Sequence, residues 1–121
     1  MQSFVFDTYA ILEIIDGNPN YEKFLNSQVI INDFIFAELC YMLIKEDGIE
    51  KANEYISKYQ NFITELDADV IKDAMLFRSK NIKKNLSGTD CIGYIMARKL
   101  EIKFLTGDKE FENLENVEFV K

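Results

Sequence analysis

Apolar positions along this chain switch repeatedly between strand and helix spacing. Ser3–Phe6 (SFVF) is short, aromatic and β-branched and predicts a strand. Thr8–Ile15 predicts a helix stopped by the turn cluster Asp16-Gly17-Asn18-Pro19. Residues 20–26 suit a short helix, and Gln28–Ile31 reads as a second strand. Asn32 or Asp33 then caps a helix running to about Glu46, closed by Asp47-Gly48. Ile49, Ala52, Ile56 and Tyr59 keep helical spacing and predict an amphipathic helix over 49–60.

Phe62–Leu66 reads as a further strand, and Asp67–Ile82 as a helix with Ile71, Ala74, Met75, Arg78 and Ile82 on one face. A polar loop over 83–89 leads to a helix over 90–100, where Gly93 and Ala97 permit close backbone packing. Ile102–Leu105 is a strand ending in Thr106-Gly107-Asp108, and a turn of helix at 110–114 precedes a last strand at 117–120. Strands alternating with helices predict one α/β domain over 1–121: about five mostly parallel strands flanked by helices in three layers. In such sheets ligands bind beyond the carboxyl ends of the strands.

Composition narrows the chemistry. The 121 residues include no His and only two Cys. Ser-His-Asp and Cys-His nucleophiles, His bases and His-bearing zinc sites are excluded. Cys40 and Cys91 sit in apolar stretches and read as buried, reduced thiols. Acid/base or metal chemistry therefore falls to carboxylates. The N-terminus lacks a basic segment before its first acids, and no apolar run spans a bilayer, so a cytoplasmic protein with no membrane partner is expected. The net charge of -7 disfavours nucleic acid, yet it divides unevenly: residues 72–105 carry 8 basic and 3 acidic side chains.

Four acids stand where this architecture would bring them together. Asp7 follows the first strand, Glu38 lies early in the helix after the second, Asp90 opens the helix before the fourth, and Asp108 follows that strand. Converging carboxylates repel unless a cation intervenes, and Mg²⁺ and Mn²⁺ favour oxygen ligands. Each acid also has a plain structural role available. Asp7 can cap a helix, Asp90 completes the capping box Ser87-Gly-Thr-Asp90, and Asp108 fits an ordinary turn. Glu38 differs, because the surrounding segment 34–44 is apolar nearly all round and should be largely buried. The alternative places Glu38 on a solvated stripe.

The ordered set Phe4-Val5-Phe6-Asp7-Thr8-Tyr9-Ala10, Phe36-Ala37-Glu38-Leu39, Ser87 to Asp90 and Ala97, and Thr106-Gly107-Asp108-Lys109-Glu110-Phe111 resembles the PIN-domain ribonucleases. Its length is most similar to the VapC-like toxins; Tyr9, Cys91 and Gly93 depart from the usual small or apolar residues. The resemblance implies a Mg²⁺- or Mn²⁺-dependent endoribonuclease, a homodimer and an antitoxin partner. It would make Asp7, Glu38, Asp90 and Asp108 the metal ligands and catalytic acids. Thr8 and Thr106 would be supporting donors, with routine capping as their alternative. Lys80, Lys83 and Lys84 are the candidates for gripping RNA. Tyr9 is a candidate for stacking on a base, and Tyr94 for the core.

Two other readings compete. A phosphoacceptor receiver domain shares the length, acidity and Mg²⁺-binding Asp cluster, but Thr8 follows Asp7 where an acidic pair is needed. A catalytically silent PIN-like module would bind a partner through the helices at 34–44 and 49–60. Neither glycine motif for mononucleotide or dinucleotide binding is present.

Overall fold

A computed structural model describes all residues, 1–121. Four strands form one parallel sheet in the order β2-β1-β3-β4: β1 Ser3–Phe6, β2 Gln28–Ile30, β3 Lys103–Thr106 and β4 Val117–Phe119. Five helices flank it: α1 Thr8–Ile15, α2 Asp33–Asp47, α3 Ile49–Tyr59, α4 Ala68–Lys80 and α5 Gly88–Lys99. Short 3-10 turns occupy Pro19–Phe24, Gln60–Phe62 and Lys109–Phe111. The α/β architecture is as expected, with four strands rather than five.

The missing strand is the one expected at Phe62–Leu66. Only Ile63 pairs, in a single bridge to Ile31 beside the end of β2, with Ile31 N–H donating to the Phe62 carbonyl. A 3-10 turn ends at Phe62 and α4 starts at Ala68, and of the five residues between them only Ile63 is bridged to a neighbour.

Local chemistry explains the helix boundaries. Asn32, fully buried, caps α2 by accepting from the Phe34 and Ile35 N–H groups. Ser87 caps α5 by accepting from Asp90 N–H, so this helix begins at Gly88, ahead of the expected Asp90. Gly48, at φ 81°, separates α2 from α3 in a conformation that suits glycine.

Two expected faces are corrected. On α2 only Ile35, Leu39 and Leu43 are buried, while Phe34, Tyr41 and Ile44 are exposed. The helix packs one stripe against the neighbouring helices α1, α3 and α5 and is not enclosed all round. On α4 the buried positions are Val70 and Ala74; Met75 is exposed, and Ile82 falls beyond the end of the helix at Lys80, in solvent. Cys91 is buried as expected, whereas Cys40 is only half-buried; both are free thiols.

Helix α5 is the centre of the molecule. Residues 91–97 are all buried, packed between α4 and strands β1 and β3. Close approach depends on Gly93: a Cβ there would stand 2.8 Å from Phe104 Cε1 and 3.3 Å from Ile35 Cδ1. Phe104 is itself fixed among Tyr94 and Phe111. Gly93→Ala is therefore expected to lower stability by about 1–3 kcal/mol, the usual cost of overpacking a core. Urea unfolding measures it, and an unchanged midpoint would contradict the packing described.

Candidate metal centre and active site

The sheet is parallel, so the strand ends and helix starts that carry Asp7, Glu38, Asp90 and Asp108 all face one edge. The four acids line a single cavity of about 380 Å³, shared with Tyr9, Gly107, Lys109 and Lys121. No helix of this structure is long and apolar enough to cross a membrane.

Asp7 is the most constrained of the four. It is 2% exposed. One carboxyl oxygen accepts from Ala10 N–H at 2.7 Å, capping α1. The other accepts from the Thr106 hydroxyl at the end of β3. Thr106 Oγ1 in turn accepts from Asp108 N–H at 3.0 Å, which couples the two acids through one buried hydroxyl. Asp108 caps the 3-10 turn at Lys109–Phe111 by accepting from Glu110 N–H. The capping roles open to Asp7 and Asp108 are thus real, and they leave both residues on the cavity wall. Of the two threonines, Thr106 donates to Asp7, and the buried Thr8 hydroxyl has no hydrogen-bond partner.

Burial raises the Asp7 carboxyl to about 8, and the nearby charges of Asp90 and Asp108 add to the effect, against the hydrogen bonds from Thr106 and Ala10. Asp90 is raised to about 7, again first by burial and then by the charges of Glu38 and Asp108, while its hydrogen bond with Ser87 opposes the shift. Both shifts reflect carboxyls that are buried near one another, and no lysine forms an ion pair with any of the four acids.

The donor set is all oxygen, which suits Mg²⁺ or Mn²⁺ better than softer metals. As the side chains stand, no three of the acids are close enough to hold one ion. Mutual repulsion favours that separation. Asp7 is pinned by its two hydrogen bonds, so ligation requires rotation of Glu38, Asp90 or Asp108.

The basic stretch is less available than its composition suggests. Lys72, Arg98, Lys99 and Lys103 are paired with Asp69, Glu115, Asp73 and Glu118. Lys80, Lys83 and Lys84 form no ion pair, although Lys84 donates to the Glu110 carbonyl. None of these three lines the cavity; the lysines that do are Lys109 and Lys121. Lys109 stands beside Asp108 in sequence and is legible there, whereas nothing local marks Lys121. Tyr9 is half-buried at the cavity wall, and Tyr94 lies in the core as expected.

The PIN domain family model matches residues 4–117. This chain belongs to the PIN domain family. Solved structures similar to this PIN domain include VapC20 of Mycobacterium tuberculosis, described as a sarcin-ricin loop cleaving toxin. That match has a TM-score of 0.79 at 16% identity and covers 99% of this chain and 100% of the other. A toxin–antitoxin complex from Klebsiella pneumoniae matches at TM-score 0.74 and 18% identity, covering 95% of each chain. VapBC2 of Rickettsia felis, bound to a promoter DNA fragment, matches at TM-score 0.73 and 14% identity, covering 99% of this chain and 100% of the other. At these identities the likeness is one of fold. A search of curated proteins finds no sequence match.

The raised carboxyls set a pH dependence. Their native values lie above the ordinary 3.8, so between about pH 4 and pH 8 the folded state binds more protons than the unfolded state. Stability of the metal-free protein should therefore fall as pH rises through that window. Asp7→Asn, which removes the charge and keeps an acceptor oxygen, should flatten the fall. Millimolar Mn²⁺ should raise Tm by roughly several degrees at pH 8 and much less at pH 5. Thermal unfolding with EDTA or Mn²⁺ at both pH values checks this; a metal-free Tm that does not fall, with no metal response at pH 8, would contradict the site.

Proposed function

We propose that this PIN domain is a Mg²⁺- or Mn²⁺-dependent endoribonuclease that hydrolyses RNA phosphodiester bonds, acting as the toxin of a toxin–antitoxin pair. The observation that carries the reading is the sharing of one cavity by Asp7, Glu38, Asp90 and Asp108 in a chain of this family. The printed descriptions of the similar structures, a toxin that cleaves the sarcin-ricin loop and two toxin–antitoxin assemblies, support it.

The metal, when bound, supplies Lewis acidity that activates water and offsets negative charge on the phosphate. The chain's own residues do the rest. Asp7 is the fixed ligand, oriented by Ala10 N–H and the Thr106 hydroxyl. Asp90 and Asp108, whose charges act on one another, complete the ligand set with Glu38. A carboxylate of this set not engaged in ligation accepts the proton of the attacking water, which makes a His base unnecessary. Lys80, Lys83 and Lys84 hold flanking phosphates outside the cavity.

The receiver reading loses support from the topology. Its acceptor Asp would follow a strand between β2 and β3, and the chain there offers one bridge at Ile63. Partner binding keeps a specific observation in its favour. Phe34, Tyr41 and Ile44 of α2 and Ile49 of α3 are large, apolar and exposed. Such a face suits a second copy of the chain or an antitoxin helix.

Cleavage of single-stranded RNA in Mg²⁺ or Mn²⁺ should be abolished by EDTA and should fall roughly 100-fold or more in Asp90→Asn. Cleavage that persists in either control would sink the mechanism. For the apolar face, light scattering should give a dimer mass that Tyr41→Asp converts towards monomer.

A further inference from the structure

Two lysines, Lys109 and Lys121, line the cavity beside the four acids, and neither is among the expected RNA-gripping lysines; of the two, only Lys121 has its ammonium fixed. It shares the cavity wall with Asp7, Glu38, Asp90 and Asp108. An ammonium among four carboxyls would ordinarily fold onto one of them, yet Lys121 lies within 4.0 Å of none. Its Nζ instead donates to the Gly107 carbonyl at 3.2 Å and lies 5.3 Å from the centre of the Tyr9 ring. Both partners are neutral, so its full charge is retained. An ammonium has three donors, and the Gly107 carbonyl uses one.

The support beneath it is built closely. A Cβ on Gly107 would collide with the Tyr9 ring, so the ring rests directly on the Gly107 backbone. The main-chain oxygen of Lys121 accepts from the side-chain amides of Asn20 at 3.2 Å and Asn18 at 3.4 Å. The residue is therefore held from both its main chain and its side chain. Lys109, the other lysine of the cavity, has no hydrogen bond or aromatic ring fixing its ammonium.

We propose that Lys121 contacts the substrate, its ammonium binding a non-bridging oxygen of the RNA phosphate at the point of cleavage. The proposal rests on the nuclease reading and adds a named cation to it. A ligand that shared this cavity with a fixed ammonium and with carboxylates that would hold a metal would be anionic. A phosphodiester meets that requirement. Tyr9 and Gly107 act as positioning residues: they hold the ammonium clear of the acids, where it would otherwise be neutralised. This also gives Tyr9 a use in the site as a platform for Lys121 rather than for a base.

The test compares Lys121→Met and Lys121→Arg with the intact protein. Neither change removes the main-chain contacts to Asn18 and Asn20, so Tm should be unchanged. Lys121→Met should lower kcat/KM for a short RNA by roughly 10- to 100-fold, and Lys121→Arg should recover most of it. In an Asp90→Asn background, whose cleavage is expected to be slow, Lys121→Met should weaken RNA binding by fluorescence anisotropy. It should also reduce the slope of log affinity against log salt by about 0.7, the value for one single-strand phosphate contact. Wild-type kcat, KM and salt slope in Lys121→Met, with the intact protein still cleaving, would overturn the proposal and leave the nuclease reading standing. Equal losses in Met and Arg variants together with a lowered Tm would overturn it in favour of a structural role. An intact protein that cleaves no RNA in either metal would overturn both.

Discussion

The carboxyl of Asp7 is the constraint around which the functional edge is arranged. It lies at the end of the central strand, almost wholly removed from water. It joins three elements at once: it ends β1, caps α1 through Ala10 N–H, and receives the Thr106 hydroxyl from β3. The same hydroxyl reaches Asp108 N–H. Placement of two of the four acids thus depends on one buried hydrogen-bonded unit. Burying a carboxyl in this way is unfavourable in its charged form, and its raised protonation equilibrium expresses that cost. A core designed only for stability would place an apolar or amide side chain there.

The rest of the fold presents this edge. Helix α5 brings Asp90 to the cavity on its first turn, with every residue from 91 to 97 buried behind it. Gly93 lets α5 sit close enough to the sheet for Asp90 to feel both Glu38 and Asp108. The opposing charges are kept apart. Four of the eight basic side chains at 72–103 are held in surface pairs worth little each, whereas the cavity lysines are left unpaired. The molecule is acidic overall, and two of its unpaired lysines, Lys109 and Lys121, share the cavity with the four acids.

Much of this was legible along the chain because it depends on local chemistry. Strand and helix spacing, the Ser87 cap and the glycine at 93 are short-range signals, and each holds. The failures are long-range. Phe62–Leu66 has strand-like residues, but a strand exists only if a neighbour pairs along its length, and only Ile63 finds one. The helix at 34–44 is rich in apolar residues, but composition does not say which of its faces is covered by the other helices; Ile35, Leu39 and Leu43 are buried, and Tyr41 is not.

The sequence by itself determined the class of fold and the exclusion of His chemistry and singled out four acids as candidates, because these follow from residue types and their order. Only the tertiary structure decided that the acids share one cavity. It alone showed that Asp7 and Asp90 are pushed towards neutrality, because burial and through-space charge depend on every element packed around a group. It also decided which lysines face the acids. Lys121 lies 113 positions after Thr8 and 14 after Gly107, and it reaches the site because parallel β4 returns the chain to the same edge. No local pattern records that return.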